Sequence, residues 1–303
     1  MMSPALPATR HNNVPGILAM LAGTAAFVCN DSIVKLLGAS LPPGEIMTLR
    51  GTLCTSFLFA AALWFGALNL PTGVLRKPAF ALRLIGDVGA TLTFIVSLMH
   101  MRFADAGGIA QFQPLAITAG SAMFLGERVG VMRWLAALVG LIGMLLIIKP
   151  GSGAFEPFAL MSAMSVLFVA CSDLSTRVVS QGVPALTLGL CSSVTVTLAA
   201  LALGSSETWA WPTHTEWLGL ATAALLVVAG LLFIITAIRM ADLSVIAPFR
   251  YSGVLLAVLL QIGIWGQTPD PVTLLGIALL VGAGLYTFQR EQSRAEHAPR
   301  KRR

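Results

Sequence analysis

The sequence predicts an all-α membrane protein in which ten transmembrane helices form two inverted repeats of five helices. Of its 303 residues, 56% are hydrophobic and 11% are charged, whereas soluble domains carry about a quarter charged residues. Its apolar runs lack the alternation of barrel strands and reach the ~20 residues that a helix needs to cross a bilayer. Similar polar motifs also recur in the same order in both halves.

Ten apolar runs mark the candidate transmembrane helices, which we number as spans 1 to 10. They are residues 16–37, 45–66, 80–100, 107–125, 131–149, 157–177, 184–204, 217–239, 243–265 and 271–289. Proline and glycine clusters separate several neighbouring runs, as is usual for loops. The chain thus divides into an N-terminal segment (1–15), a first repeat (16–149), a second repeat (157–289) and a basic tail (290–303).

Lys and Arg residues are distributed unevenly between the two sides of this arrangement. If the N-terminus is cytoplasmic, fourteen of them fall on the cytoplasmic side and three on the opposite side. Because cytoplasmic loops are enriched in Lys and Arg, we expect both termini in the cytoplasm of a bacterial cell, with the chain in its inner membrane. The basic tail 300–303 fits this orientation, and no nucleic-acid partner is predicted. Span 1 is long enough to be retained rather than cleaved as a signal peptide.

The internal repeat is carried by polar residues. Residues 29–31 (Cys-Asn-Asp), with a Lys four positions after the Asp, match residues 171–173 (Cys-Ser-Asp), with an Arg four positions after the Asp, at an offset of 142. Residues 102–105 match residues 239–242 at an offset of 137. An odd number of spans per unit inverts the second unit, as in many secondary transporters. Chance similarity between apolar helices is the alternative interpretation.

Further motifs point to a known family. They are Asn30-Asp31-x3-Lys35, Pro42-x-Gly44-Glu45, Arg50, Ala104-Asp105, Gly126-Glu127, Gly140 and Gly143. With them, residues 14–290 resemble the EamA-type members of the drug/metabolite transporter superfamily. The resemblance implies ten spans, two inverted repeats, cytoplasmic termini and a central cavity lined by spans 1, 3, 4, 6, 8 and 9. In the second half, Gly266-Gln267 stands where the first has Gly126-Glu127, so the acid is not repeated.

Polar side chains inside the spans are candidates for substrate binding or coupling, since a charge at a helix centre costs about 2.5–3.5 kcal/mol on insertion scales. The candidates are Asn30, Asp31, Arg50, Asp87, Gln111, Gln113, Asp173, Arg250 and Tyr251. Arg50 needs a partner on another helix, such as Asp31, or an anionic substrate group. Asp87 could carry a coupling proton, meet a cationic group or pair with Arg250.

Two acid–base pairs have the favourable helical spacing of four residues, with the acid first. They are Asp31 with Lys35 and Asp173 with Arg177. Each pair could form a gate at one mouth of the cavity. Alternatively, each could be a helix-end pair that lowers the cost of insertion while the basic side chain reaches the interface.

Prolines occupy matching places in spans 4 and 9, at Pro114 and Pro248. A proline inside a helix removes a hydrogen bond and bends the helix. Interrupted helices in corresponding positions of two repeats are a pointer to a midplane binding site. Ordinary helix kinks are the alternative.

Small residues in spans 5 and 10, including Gly140, Gly143 and Gly276, favour close helix packing. This packing could join the two repeats or form a homodimer through spans 5 and 10.

The function predicted from these features is secondary transport of a small polar metabolite by alternating access. Amino acids, amines, nucleoside-like compounds and a vitamin such as riboflavin remain open as substrates, as do import and export. The alternative is an integral-membrane enzyme acting on a lipid or isoprenoid, but such chemistry needs clustered polar groups and the four His residues are spread apart. No cofactor or metal is predicted, because the four Cys lack zinc or redox spacing.

Overall fold

The computed structural model of the protein describes residues 14–124, 130–149, 156–179, 183–240 and 246–297. All regular secondary structure in these ranges is helical, which confirms the predicted all-α class. The described α-helices are α1 (Val14–Leu37), α2 (Pro43–Trp64), α3 (Thr72–Leu75), α4 (Pro78–His100), α5 (Phe103–Ala110), α6 (Gln113–Phe124), α7 (Val131–Ile148), α8 (Glu156–Val179), α9 (Ala185–Gly204), α10 (His214–Met240), α11 (Ser252–Trp265) and α12 (Pro271–His297). A 3-10 helix, Ala247–Tyr251, precedes α11.

Six of the described helices, α1, α2, α4, α8, α9 and α10, are long and apolar enough to cross a membrane. Shorter apolar helices lie at Trp134–Ile148, Phe249–Trp265 and Pro271–Thr287. The chain is therefore a multi-helix apolar protein. Spans 4 and 9 of the sequence prediction are each divided into two helical pieces. Span 4 contains residues of α5 and α6, span 9 contains the 3-10 helix and α11, and each span includes a proline.

The N-terminus of α2 is capped from the second half of the chain. Pro43 occupies its first turn, where the missing N–H costs no hydrogen bond. The Glu207 carboxylate accepts hydrogen bonds from the backbone N–H groups of Gly44 at 3.1 Å and Glu45 at 3.2 Å. In return, the buried Glu45 carboxylate accepts one from the backbone N–H of Ala210 at 3.1 Å. Glu207 thus satisfies two donors at the end of α2, and the reciprocal contacts connect the two halves.

Four close helix pairs organise the packing, and each joins one helix from each half of the chain. They are α1 with α10, α4 with α8, α2 with α9 and α7 with α12. Glycine permits the close approach of α7 and α12, since a Cβ added at Gly143 would lie 2.7 Å from the carbonyl oxygen of Gly276. These glycines were considered for packing between the repeats or for a homodimer, and within this chain they pack the two halves together.

An ion-pair cluster connects the halves at the ends of these helices. Asp270 accepts hydrogen bonds from Lys149 and, at 3.0 Å, from Arg102, which also contacts Asp105 at 2.7 Å. The Asp270 carboxylate additionally accepts the backbone N–H of Thr273 at 3.1 Å and so caps α12. The hydrogen bond from the Lys149 ammonium, aided by the other donors, holds the pKa of Asp270 well below its usual range. We call these four charged residues the end cluster.

We expect Gly143→Ala to lower the free energy of unfolding by about 1–3 kcal/mol, because overpacking forces α7 away from α12. The measurement is the thermal unfolding temperature of the purified protein in detergent. Gly282→Ala on α12 is the matched control, since nothing lies within 4 Å of a Cβ there. Equal losses of stability in both variants would contradict the proposed role of this contact.

Candidate functional site

Two departures from regular α-helix, an interruption between α5 and α6 and a 3-10 helix before α11, meet at one cavity, and we call them the helix breaks. In the first half, α5 ends at Ala110 and α6 begins at Gln113, so the backbone turns just before Pro114. The ring of Pro114 cannot be accommodated inside a continuous helix without losing a hydrogen bond. In the second half, the 3-10 helix Ala247–Tyr251 contains Pro248 and leads into α11. Residues from both breaks line the same space.

This first cavity has a volume of about 350 Å³, within the size range of small-molecule sites. Six of the residues selected from the sequence line it, namely Asp31, Gln111, Gln113, Pro114, Arg250 and Tyr251. Aromatic side chains complete the lining, among them Phe27, Phe94 and Phe103. The cavity therefore combines opposite charges, amides and flat apolar surfaces.

Asp31 and Arg250 are the charged residues among the described side chains that line the first cavity. Asp31 accepts a hydrogen bond from the side-chain amide of Asn30 at 2.9 Å. The Arg250 side chain is exposed and makes no hydrogen bond or ion pair with any described residue, although it interacts electrostatically with Asp173. Asp173 itself accepts a hydrogen bond from Gln113 at 3.1 Å. The Arg250 guanidinium is thus available to a ligand.

A second cavity, of about 290 Å³, lies between α2, α4, α9 and α10. Its polar lining includes Arg50, Arg83, Asp87, Ser192 and Thr197. Two sequence candidates, Arg50 and Asp87, therefore line a different space from the six above, whereas Asn30 and Asp173 line neither cavity. The two cavities are linked, because Phe27 lines both and Arg50 donates to the Asn30 side-chain oxygen at 2.9 Å.

The predicted pair of Asp31 with Lys35 is wrong. The Lys35 ammonium donates instead to the backbone carbonyl oxygens of Leu98, at 2.8 Å, and Met101. Carbonyls in the last turn of a helix have no partner within that helix, and Lys35 at the end of α1 reaches those at the end of α4. Lys35 therefore secures a helix end, while Asp31 faces the first cavity.

Pairing with Arg250 was one of three roles considered for Asp87, and the described contacts of Asp87 are with other residues. Asp87 lies 3.5 Å from Arg83, one turn earlier on α4, and accepts hydrogen bonds from the hydroxyls of Ser172 and Ser192. Asp87 therefore lines the second cavity and not the first. The predicted Asp173–Arg177 pair cannot be placed, because the Arg177 side chain lies outside the described residues, as do residues 125–129 and 241–245.

Several lining residues escaped the sequence analysis, including Thr24, Phe27, Phe103 and Thr287. A signal for two of them exists. Thr24 and Phe27 precede Asp31 by seven and four positions, so all three share one face of α1. For Phe103 and Thr287, no comparable marker connects them to the polar candidates.

Comparison with known proteins relates the chain to membrane transporters. Residues 14–149 match the EamA-like transporter family. The pseudopaline exporter of Pseudomonas aeruginosa is 26% identical over 271 residues, which are 88% of this chain and 94% of the exporter. The S-adenosylmethionine uptake transporter of Rickettsia conorii is 25% identical over 91% of this chain and 93% of its own.

A riboflavin transporter of Rhizobium johnstonii is 30% identical over 209 residues, covering 66% of this chain and 67% of that protein. One solved crystal structure shares the fold, with a TM-score of 0.62 and 23% identity over 93% of this chain and 99% of the other. The family resemblance seen in the sequence motifs is thereby confirmed. This chain belongs to the EamA-like transporter family and is a multi-pass bacterial membrane protein that transports a small metabolite.

Proposed function

We propose that this protein is a secondary transporter of the inner membrane that carries a small zwitterionic metabolite with a flat ring through the first cavity. The observation that carries this proposal is the presence of Asp31 and Arg250 in one cavity, together with aromatic side chains, at two helix breaks. Within the substrate classes considered from the sequence, this lining favours amino-acid-like and nucleoside-like compounds.

Each part of the lining has a chemical counterpart in such a substrate. A guanidinium such as that of Arg250 binds carboxylate or phosphate through two parallel hydrogen bonds, and the Asp31 carboxylate suits an ammonium or other cation. The rings of Phe27, Phe94 and Tyr251 offer flat surfaces for stacking. S-adenosylmethionine and riboflavin, for which two relatives are named, both contain a flat heterocycle, which supports this assignment.

We further propose that ten spans form the transporter, arranged as inverted repeats of residues 16–149 and 157–289 with both termini in the cytoplasm. The helix pairing supports this arrangement. If each helix is replaced by its counterpart in the other repeat, the α1–α10 pair becomes the α8–α4 pair. The pairs α2–α9 and α7–α12 are unchanged, because each already consists of two counterparts. Such a pattern is expected when two similar units face each other across a pseudo-two-fold axis.

Alternating access then requires contacts between the halves that can break and re-form. The end cluster of Arg102, Asp105, Lys149 and Asp270 fits this role, since its ion pairs join the halves at one end of the fold. We therefore propose that the end cluster, rather than the pair of Asp31 and Lys35, forms a gate of the cavity. The transporters among the relatives support this mechanism over a lipid or isoprenoid enzyme.

A homodimer through spans 5 and 10 stays a prediction. Gly143 and Gly276 already pack against each other within the chain. The dimer would therefore use the exposed apolar side chains of α7 and α12, such as Leu138, Leu141 and Leu274.

Arg250→Ala should reduce transport at least tenfold, because losing a hydrogen bond to a charged group costs about 1.5–3 kcal/mol and about 1.4 kcal/mol corresponds to tenfold. The protein should remain folded, since the guanidinium has no hydrogen-bond partner among the described residues. The substrate is first identified by ligand stabilisation with amino acids, nucleosides, flavins and amines, and uptake is then measured in proteoliposomes. Arg239→Ala, exposed at the end of α10 and outside both cavities, is the control. Wild-type transport by Arg250→Ala would remove this residue from the site.

The inverted arrangement predicts opposite labelling of two loops. In a cysteine-free background, Ser40→Cys should react with a membrane-impermeant maleimide from outside intact cells, whereas Gln181→Cys should react only after permeabilisation. Ser40 follows α1, and Gln181 follows the corresponding helix α8. Arg76→Cys, expected on the cytoplasmic side, is the matched control for Gln181→Cys. Reaction of Ser40→Cys and Gln181→Cys from the same side would overturn the inverted repeats.

A further inference from the structure

We propose that the second cavity binds a small monovalent anion and that this site is coupled to the first cavity through Arg50, Asn30 and Asp31. The inference goes beyond the proposed transport of a metabolite, because it assigns a ligand to a separate space between α2, α4, α9 and α10.

The charge balance of the second cavity carries the argument. Its described lining contains the guanidiniums of Arg50 and Arg83 but a single carboxylate, Asp87. That carboxylate is already engaged by Arg83 at 3.5 Å and by the hydroxyls of Ser172 and Ser192. Arg50 is left as a cation at the wall of the cavity without a carboxylate in direct contact among the described residues.

The neutral side chain of Asn30 is the hydrogen-bond partner of Arg50 in the described chain, at 2.9 Å. A cation within the hydrocarbon region is costly unless it is paired or solvated in a cavity. An anion placed beside Arg50 would supply the missing counter-charge.

Donor groups in the same cavity suit an anion. The buried Nε of Arg83 has no hydrogen-bond partner within the described residues. The hydroxyl of Ser193, which lies 2.8 Å from that of Thr55, also lines the space. With about 290 Å³, the cavity has room for a small ion and accompanying waters, each of which takes ~30 Å³ in the liquid.

A hydrogen-bonded chain connects this site to the first cavity. Arg50 donates to the oxygen of Asn30, and the nitrogen of Asn30 donates to Asp31, each at 2.9 Å. Asp31 also interacts electrostatically with Arg50. When a cationic group neutralises Asp31 in the first cavity, Arg50 loses this opposite charge and should bind an anion more tightly. By linkage, the anion should strengthen binding of the cation equally. This coupling rests on the proposed function, whereas anion binding itself does not.

The test therefore uses purified protein in detergent without any substrate. Sodium chloride replaces sodium gluconate at constant ionic strength while the thermal unfolding temperature is measured. Sodium acetate forms a second arm, because acetate is a small anion with the same single charge as chloride, whereas gluconate is a bulky, hydrated six-carbon polyol that serves as the reference. We expect a saturable rise in unfolding temperature with chloride or acetate, since a ligand that binds the native state stabilises it. Arg50→Gln should abolish the rise, and Arg50→Lys should retain it at higher concentration. Arg76→Gln, an exposed arginine outside both cavities, is the control and should respond as the wild type.

Equal unfolding temperatures of the wild type in chloride, acetate and gluconate would overturn the proposal, whether or not Arg50→Gln can be purified. The proposal would also be overturned if Arg50→Gln showed the same rise in unfolding temperature as the wild type. If the rise were lost in Arg250→Gln but kept in Arg50→Gln, the anion would bind in the first cavity instead. If Arg250→Ala transported normally while chloride still stabilised the protein through Arg50, the proposed metabolite site would fail and the anion site would stand.

Discussion

The side-chain amide of Asn30 bridges Arg50, which lines the second cavity, and Asp31, which lines the first. Its oxygen accepts from Arg50 and its nitrogen donates to Asp31, so one buried group joins a cation of α2 to an acid of α1. In a medium that provides no water, each of these charges would be costly alone. An amide can serve both at once because it carries a donor and an acceptor. The two charged groups can consequently face different spaces while remaining coupled.

Helix packing places both cavities between the two halves of the chain. Each of the four closest helix pairs joins a helix of the first half to one of the second. Glycine brings α7 and α12 into backbone contact, as Gly143 and Gly276 show, whereas residues beside Pro114 and in the 3-10 helix that contains Pro248 line a cavity. Close contact in one place and departures from regular α-helix in another together surround an internal chamber.

The candidate site was predictable in part. Asp31, Gln111, Gln113 and Arg250 stood out because polar groups inside apolar spans require a reason, and all four line the first cavity. Lys35 shows the limit of the same reasoning. Spacing along the helix put it beside Asp31, yet it contacts carbonyls of α4 that no local pattern reveals.

The sequence by itself determined the membrane class, the all-helical fold, the family and most helix bounds, because hydrophobicity and proline act locally along the chain. Tertiary structure alone decided that Asp87 pairs with Arg83 and two hydroxyls, that Phe103 lines a cavity, and that Arg50 and Asp87 line a different cavity from Asp31 and Arg250. These outcomes depend on which helix faces lie against each other. Residues distant in sequence meet there, and no periodicity within one helix specifies its neighbour.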